Sequence, residues 1–510
     1  MKTLRLILGD QLNSKHSWYK RVDDNVFYCM FEMRQETDYV RHHIQKVIGF
    51  FAAMREFSKQ LVQNNHNVIY FNIADAKNQH DLGKNIKLLI EQNVIEHFEY
   101  QAPDEYRLNQ QLKSICNDLS ISSSSYDTEH FLTTRNELAD FFEGKKQLLM
   151  ERFYRNMRKK HHILMVGEQP EGGIWNYDHN NRKKWKGNPE IPNYKAFKND
   201  VKQIYKDISS SEIDTIGHFE SEYFEYPINL KQAQEQLSFF CRDLLPHFGD
   251  YQDALHTEEV YLFHSRLSFA MNTKIISPKE IIDAVMTHYR QHMDEIDIAQ
   301  VEGFIRQVIG WREYMRGMYW KEMPSYKTLN ELENHEDIPE FFWTGETKMN
   351  CLQKTIKNSL KHAYAHHIQR LMITGNYLLL TQTHPDAVDD WYLGIYIDAI
   401  QWVQLPNTRG MSQYADGGKI ATKPYVSSGS YINKMSNYCS SCHYKVKEKI
   451  GPNACPFNSL YWNFLDDKKT KLYTNQRMRM MYSVLNKFSA EDLHEMKLRA
   501  AEIITHPERF

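Results

Sequence analysis

Four of the seven cysteines fall in one arrangement: Cys351 upstream, Cys439 and Cys442 separated by two serines, and Cys455 followed directly by Pro456. Soft thiolates at this spacing make a tetrahedral site for zinc or for an iron–sulfur cluster. The Cys-Pro step and the nearby Tyr438, Tyr444, Phe457, Tyr461 and Trp462 favour a buried redox cluster over a solvated zinc knuckle. Free cysteine is also an ordinary core residue, but a CxxC pair with two further cysteines argues against four unrelated thiols. Cys29, Cys116 and Cys241 stand apart and read as plain buried thiols.

Other segments carry polar chemistry at suggestive places. His264-Ser265-Arg266-Leu267-Ser268 offers hydroxyls and a cation at an expected helix start, which suits a phosphate, although serine there is more often a cap. His366 and His367 are adjacent on a predicted helix, so their rings point about 100° apart. Arg370 follows one turn later. Two basic runs, Lys145–His162 (with Arg155, Arg158, Lys159 and Lys160) and Arg182–Lys186 (with Arg182, Lys183 and Lys184), are interleaved with Phe153, Tyr154 and Trp185. Cations on phosphates with aromatics stacking or wedging suit a distorted nucleic acid; a solvated helix face is the alternative.

These residues need a scaffold, and 510 residues are too many for one compact core, so two or three domains are expected. Net charge is only −2, so a nucleic-acid surface would have to be a local patch. No signal-peptide layout or membrane-length apolar run is present, and the isolated thiols fit a reducing compartment. A cytoplasmic protein is expected. Apolar runs at Leu4–Leu8, Val26–Phe31, Val68–Ile73 and His97–Gln101 alternate with helical patterns over 40–61, Leu82–Asn93 and Tyr106–Leu119, which predicts an α/β domain with a parallel, Rossmann-like sheet. Ser122–Ser125 reads as a loop. GxGxxG and Walker A loops are absent. From about residue 228 the pattern is helical, with expected helices at Lys231–Leu245, Pro278–Met293, Val301–Trp320, Met349–Gly375 and Ala387–Leu405. The expected domains are therefore 1–133 (α/β), 134–227 (a connector with basic segments) and 228–510 (large, all-helical, carrying the thiolate site).

Leu-Gly-Asp-Gln-Leu at the start, Ser-x-Leu-Ser at 265–268, Trp-Arg-Glu-Tyr at 311–314 and His-His-x-x-Arg-x-Met-Ile-Thr at 366–374 together resemble the photolyase/cryptochrome family. The cysteines narrow the resemblance to its iron–sulfur bacterial branch, which includes prokaryotic (6-4) photolyases. The resemblance implies FAD in the helical domain, a 4Fe–4S cluster held by Cys351, Cys439, Cys442 and Cys455, and a 6,7-dimethyl-8-ribityllumazine antenna in the α/β domain. It also implies light-driven repair of (6-4) photoproducts in UV-damaged DNA by a monomer, or, alternatively, a cryptochrome-type photoreceptor with the same cofactors.

By the same resemblance, His366 and His367 belong to the repair pocket, with His366 the first choice as proton donor and Tyr425 and Tyr431 as pocket walls. His264, Ser265, Leu267, Ser268, Gln307, Arg312, Arg370, Asp398 and Asn407 are placed at FAD. Trp391, Tyr392 and Trp343 form an electron path. Asp10 and Gln11, at a strand's C-terminal end where such sheets bind ligands, join Glu36 and His43 at the antenna. Two departures stand out: Leu-Ser-Phe-Ala replaces the commoner Leu-Ser-Pro-Tyr, and Lys274 stands where glycine is frequent.

Overall fold

The computed structural model describes residues 1–510. Five parallel strands, β1 (Thr3–Leu6), β2 (Val26–Phe31), β3 (Asn67–Phe71), β4 (His97–Gln101) and β5 (Ser122–Tyr126), form a sheet in the order β3-β2-β1-β4-β5. The order reverses between β1 and β4, so the crevice beyond their carboxyl ends is the ligand position of an open α/β sheet. Both strands are almost wholly buried, which is why they read as apolar runs.

The serine run is a strand, not a loop. Ser122–Ser125 pair in parallel register with His97–Tyr100. Serine has little intrinsic strand preference, but an exposed edge position asks only for one partner's backbone ladder.

Helix α1 (Ile44–Gln63) crosses beneath the sheet with Val47, Ile48, Phe51 and Met54 buried. Its apolar face joins the core of the helical region, while Leu4, Leu6, Phe98 and Leu112 make a smaller core on the other face of the sheet. Helices α2 (Leu82–Asn93) and α3 (Tyr106–Asp118) cover that face.

From Leu230 onward the chain is helical, and wide π-type turns interrupt it at Phe240–Leu244, Arg306–Arg312, Arg370–Gly375 and Pro406–Ser412. Such turns concentrate at functional places because they re-aim side chains within a helix. Two expected helices are broken. Met349–Gly375 is split after the helix Asn350–His362 by Ala363 at φ +50°. Ala387–Leu405 becomes the helices Pro385–Ile395 and Gln401–Leu405. Apolar periodicity ran through both breaks because the linking residues are buried too.

Candidate functional site

All four cysteines line one apolar cavity with Met349, Ile432, Tyr438, Tyr444 and Phe457. Cys351 comes from the helix Asn350–His362, Cys439 from a single turn, Cys442 from the turn's end, and Cys455 caps the helix Pro456–Asp467. Burial raises the Cys439 thiol to about 11 and the Cys455 thiol to about 12, so a cationic centre would be needed to keep these two as thiolates. Four thiols on one cavity are a soft donor set that fits either zinc or an iron–sulfur cluster. Gly429 keeps this cavity open: a Cβ there would lie 2.8 Å from Cys455 Sγ.

His366 is linked to this cavity through a single residue, Gln369. His366 is not in a helix but extended just before one (φ −74°, ψ 165°), with His367 opening the helical turn. Its N–H donates to Gln369 Oε1 (3.1 Å), and Gln369 Nε2 donates to the Tyr438 hydroxyl (3.1 Å), so a wall of the cysteine cavity helps hold the histidine's backbone. The ring of His366 stacks on His264 at 4.7 Å with an interplanar angle of 16°. His264 Nε2 and both ring nitrogens of His366 are buried without a hydrogen-bond partner. Burial lowers His264 to about 4 and pushes His366 well below the ordinary range, with His264 adding to the effect. An imidazolium there requires added negative charge. His367 is crowded by neighbours yet open to solvent, as on a concave surface.

A chain of contacts leads away from His366. The Arg370 N–H donates to the His366 carbonyl (3.1 Å), and its guanidinium pairs with Asp398 (2.9 Å) and lies over the Tyr396 ring at 3.8 Å. Asn272, ending the short helix Ser268–Asn272, donates to the Asp398 carbonyl (2.8 Å). The orphaned ring nitrogens and this charged pair fit a polar planar cofactor.

Other expected flavin residues are not brought into contact with these residues. Gln307 and Asn407 donate to carbonyls of their own helices, Gly303 and Val403. Arg312 lies against His130 and between Phe131 and Trp402, at the boundary with the α/β domain. Ser265 and Ser268 cap nothing strongly: Leu267, buried, precedes the five-residue helix, and the Ser265 carbonyl accepts from Gln236 (2.8 Å).

A second cavity, of about 150 Å³, opens at the sheet's crevice. Asp10 and Glu36 line it, with Glu32, Asp104, Glu105 and Lys46. Two expected residues do not. Gln11 turns inward, accepting from the Leu8 N–H (3.0 Å) and donating to the Gln101 carbonyl (3.1 Å). His43 caps α1, accepting from the Gln45 N–H (3.1 Å), with its Nε2 on the Leu360 carbonyl (2.8 Å); its neighbour His42 lines the cavity instead. With both ring nitrogens engaged in this way, His43 has none left for a ligand. Burial lowers Lys46 to about 7, and its ammonium donates to the Leu393 carbonyl (2.7 Å). Asp104 and Glu105 follow β4 just as Asp10 follows β1, so the same switch-point rule would have found them.

A curated relative, the (6-4) photolyase of Agrobacterium fabrum, is 40% identical over 509 residues, covering 99% of each chain. The chain belongs to the photolyase/cryptochrome family. A family model described as deoxyribodipyrimidine photo-lyase-related protein matches residues 5–224. Two solved structures share the fold: a bacterial class III photolyase from Agrobacterium tumefaciens (TM-score 0.55, 12% identity, 100% of this chain and 98% of that one) and a Synechocystis cryptochrome (TM-score 0.56, 10% identity, 98% and 99%). Membership implies FAD, and no helix is long and apolar enough to cross a membrane.

Within this family frame, Trp391 and Tyr392 touch edge-on at 5.3 Å, and both touch Tyr396, which underlies Arg370. Tyr396 was not singled out from the sequence. Trp343 makes no ring contact with them; Phe342 stands against Trp391 instead, at 5.1 Å.

The basic segments need larger correction. Arg158 is fully buried, donating to the carbonyls of Ile163, Leu164 and Trp175, so it cannot meet DNA. Phe153, Tyr154 and Trp185 are core residues. Phe153 and Tyr154 were legible as apolar positions of the amphipathic helix Met150–His161. Arg155, Lys159, Lys160, Arg182 and Lys183 are surface cations facing Glu151, Glu168, Glu137, Asp178 and Asp250, and Lys184 approaches the Asn433 carbonyl (3.5 Å). Tyr425 and Tyr431 are half-buried in one electrostatic neighbourhood with Asp178, Arg182 and Asp253. Burial and Asp178 raise Asp253 to about 6, and the backbone of its neighbour Ala254 lies beside His366.

Proposed function

We propose that this protein is a light-dependent lyase that reverts (6-4) pyrimidine–pyrimidone photoproducts in UV-damaged DNA. Full-length similarity to a (6-4) photolyase supports the class. The observation that carries the reading is the His264–His366 stack standing beside the Arg370–Asp398 pair. Arg370 and Asp398 would hold FAD, which when reduced and excited by light would lend the lesion one electron and recover it once the two bases are restored.

The chain's own residues do the remainder. His366 holds the proton that must reach the lesion as the hydroxyl moves back between the pyrimidines. Its depressed affinity for that proton means that it charges only when the negative charge of DNA and cofactor stands nearby, which couples acid strength to occupancy. Arg370, fixed by Asp398 and Tyr396, holds a cation beside the electron donor. Tyr425, Tyr431 and exposed His367 shape the cleft into which a flipped nucleotide enters, a step made cheaper by the pairing already lost at the lesion. Lys159, Lys183 and Lys184 meet phosphates.

Cys351, Cys439, Cys442 and Cys455 hold a 4Fe–4S cluster on this reading, with a structural role exerted through Tyr438 and Gln369. The crevice cavity takes a ribityllumazine antenna. The test is repair of a defined (6-4) lesion by wild type and His366→Ala under blue light. Repair should fall by about 10²-fold or more while FAD absorbance persists; a variant within a few-fold of wild type refutes the assignment of the proton donor, and absence of light-dependent lesion loss in wild type refutes the function.

A further inference from the structure

Lys274 lies just beyond the helix Ser268–Asn272 and adopts φ +63°. That is the left-handed position after a helix end, where glycine is favoured because a Cβ crowds the following carbonyl. A lysine that stays there is held by its side chain. The ammonium is almost wholly buried and has three oxygens around it: the Asp10 carbonyl (2.7 Å), Asp10 Oδ2 (2.9 Å) and Asp104 Oδ2 (2.9 Å). Beside it, the Thr273 carbonyl accepts the Leu12 N–H at 3.0 Å. One turn of the helical region thus grips both loops that flank the sheet's switch point.

The two aspartates also line the crevice cavity. Asp104 Oδ1 faces the Arg316 guanidinium (3.4 Å). Burial alone would raise the carboxyl, but Lys274, Arg316 and Arg135 outweigh it and hold Asp104 below its ordinary range. The group therefore stays ionised. Asp104 Oδ2 meets the Lys274 ammonium at 2.9 Å out of line, and a carboxylate oxygen so engaged keeps a second lone pair with no donor on it. A buried, ionised oxygen with an unused acceptor site in a cavity wall is what a ligand's donor would satisfy.

We infer that Lys274 is a positioning residue for the antenna cavity, fixing Asp10 and Asp104 from the helical side so that Asp104 Oδ2 accepts an N–H or O–H of the bound ring or its polyol chain. This rests on the antenna reading of the cavity. It makes occupancy of the α/β pocket depend on a residue two positions beyond the helix that contacts Asp398 near the proposed flavin.

The test titrates 6,7-dimethyl-8-ribityllumazine into full-length, FAD-containing protein freed of antenna, following quenching of lumazine fluorescence, with FAD content and melting temperature reporting the fold. Lys274→Met and Asp104→Asn should each weaken binding by about tenfold or more, the loss expected when a charged acceptor goes. Lys274→Arg should recover part of it, and Lys279→Met, on an exposed lysine, should leave it unchanged. A folded Lys274→Met that binds within about threefold of wild type overturns the inference while the antenna reading stands. Should Lys274→Met not fold, Asp104→Asn with unchanged affinity overturns it equally. Wild type that binds no lumazine removes both.

Discussion

Gly429→Ala is the sharpest perturbation of the cysteine cavity, because it adds one carbon and removes no ligand. The new Cβ would stand 2.8 Å from Cys455 Sγ, 3.0 Å from Val446 Cγ2 and 3.5 Å from Asn458 Oδ1. Ordinary contacts lie at about 3.5–4.0 Å, so the sulfur contact is short by roughly 0.7–1.2 Å. Alanine is also the better helix former, by up to about 1 kcal/mol, and Gly429 begins the helix Gly429–Met435. Local preference therefore favours the substitution and packing opposes it. Overpacking a rigid site costs about 1–3 kcal/mol, and Cys455 cannot easily yield because its side chain is buried in the core. Val446 can rotate; the sulfur must move.

The expected outcome is soluble protein with iron and acid-labile sulfide per FAD reduced to about half or less of the wild-type ratio. Displacement should also propagate through Tyr438 and Gln369 to the His366 backbone, lowering repair per bound flavin. The measurement is metal and sulfide analysis beside the visible spectrum of the same sample. Full iron content with an unaltered spectrum would refute the placement of a cluster against Cys455, and zinc in place of iron would refute the cluster itself.

Two further outcomes are expected. Arg158→Ala should destabilise the protein by about 3 kcal/mol or more, since two buried carbonyls and a partly buried one lose a charged donor, without changing the salt slope of DNA binding; Lys184→Ala should leave stability nearly unchanged and reduce that slope by about 1. Paired denaturation and salt titrations separate the two, and a lowered slope in a stable Arg158→Ala would contradict its burial. Acidification should weaken the fold through His43, which burial lowers to about 4. Native protein binds fewer protons than unfolded chain between pH 6.5 and 4, so this group's contribution is complete above pH 6.5 and fades as pH falls toward 4. The loss is about 3 kcal/mol; urea midpoints measured across that window, flat in wild type, would refute it.

Chemical type and spacing made several features legible in advance. The CxxC pair with Cys351 and Cys455, the alternation that builds a parallel sheet, and the switch-point position of Asp10 follow from local pattern, because ligand softness and strand period are properties of short segments. Which side of a segment is covered is not. Arg158 reads as one more cation in a basic run, but the carbonyls of Ile163, Leu164 and Trp175 converge on it only after the chain folds back. His42 and His43 are indistinguishable as letters; Gly217, whose absent Cβ would fall 2.0 Å from His43 Nε2, and the Leu360 carbonyl decide which one is a cap and which faces the cavity. The serine strand exists because β4 lends it a ladder. Lys274 looked like a departure from a glycine position, and only the meeting of two loops and a helix end gives its ammonium three oxygens. Sequence alone determined which chemistries were present and roughly which elements carried them. Tertiary structure decided which groups meet, because burial and pairing depend on segments hundreds of residues apart whose approach no local period encodes.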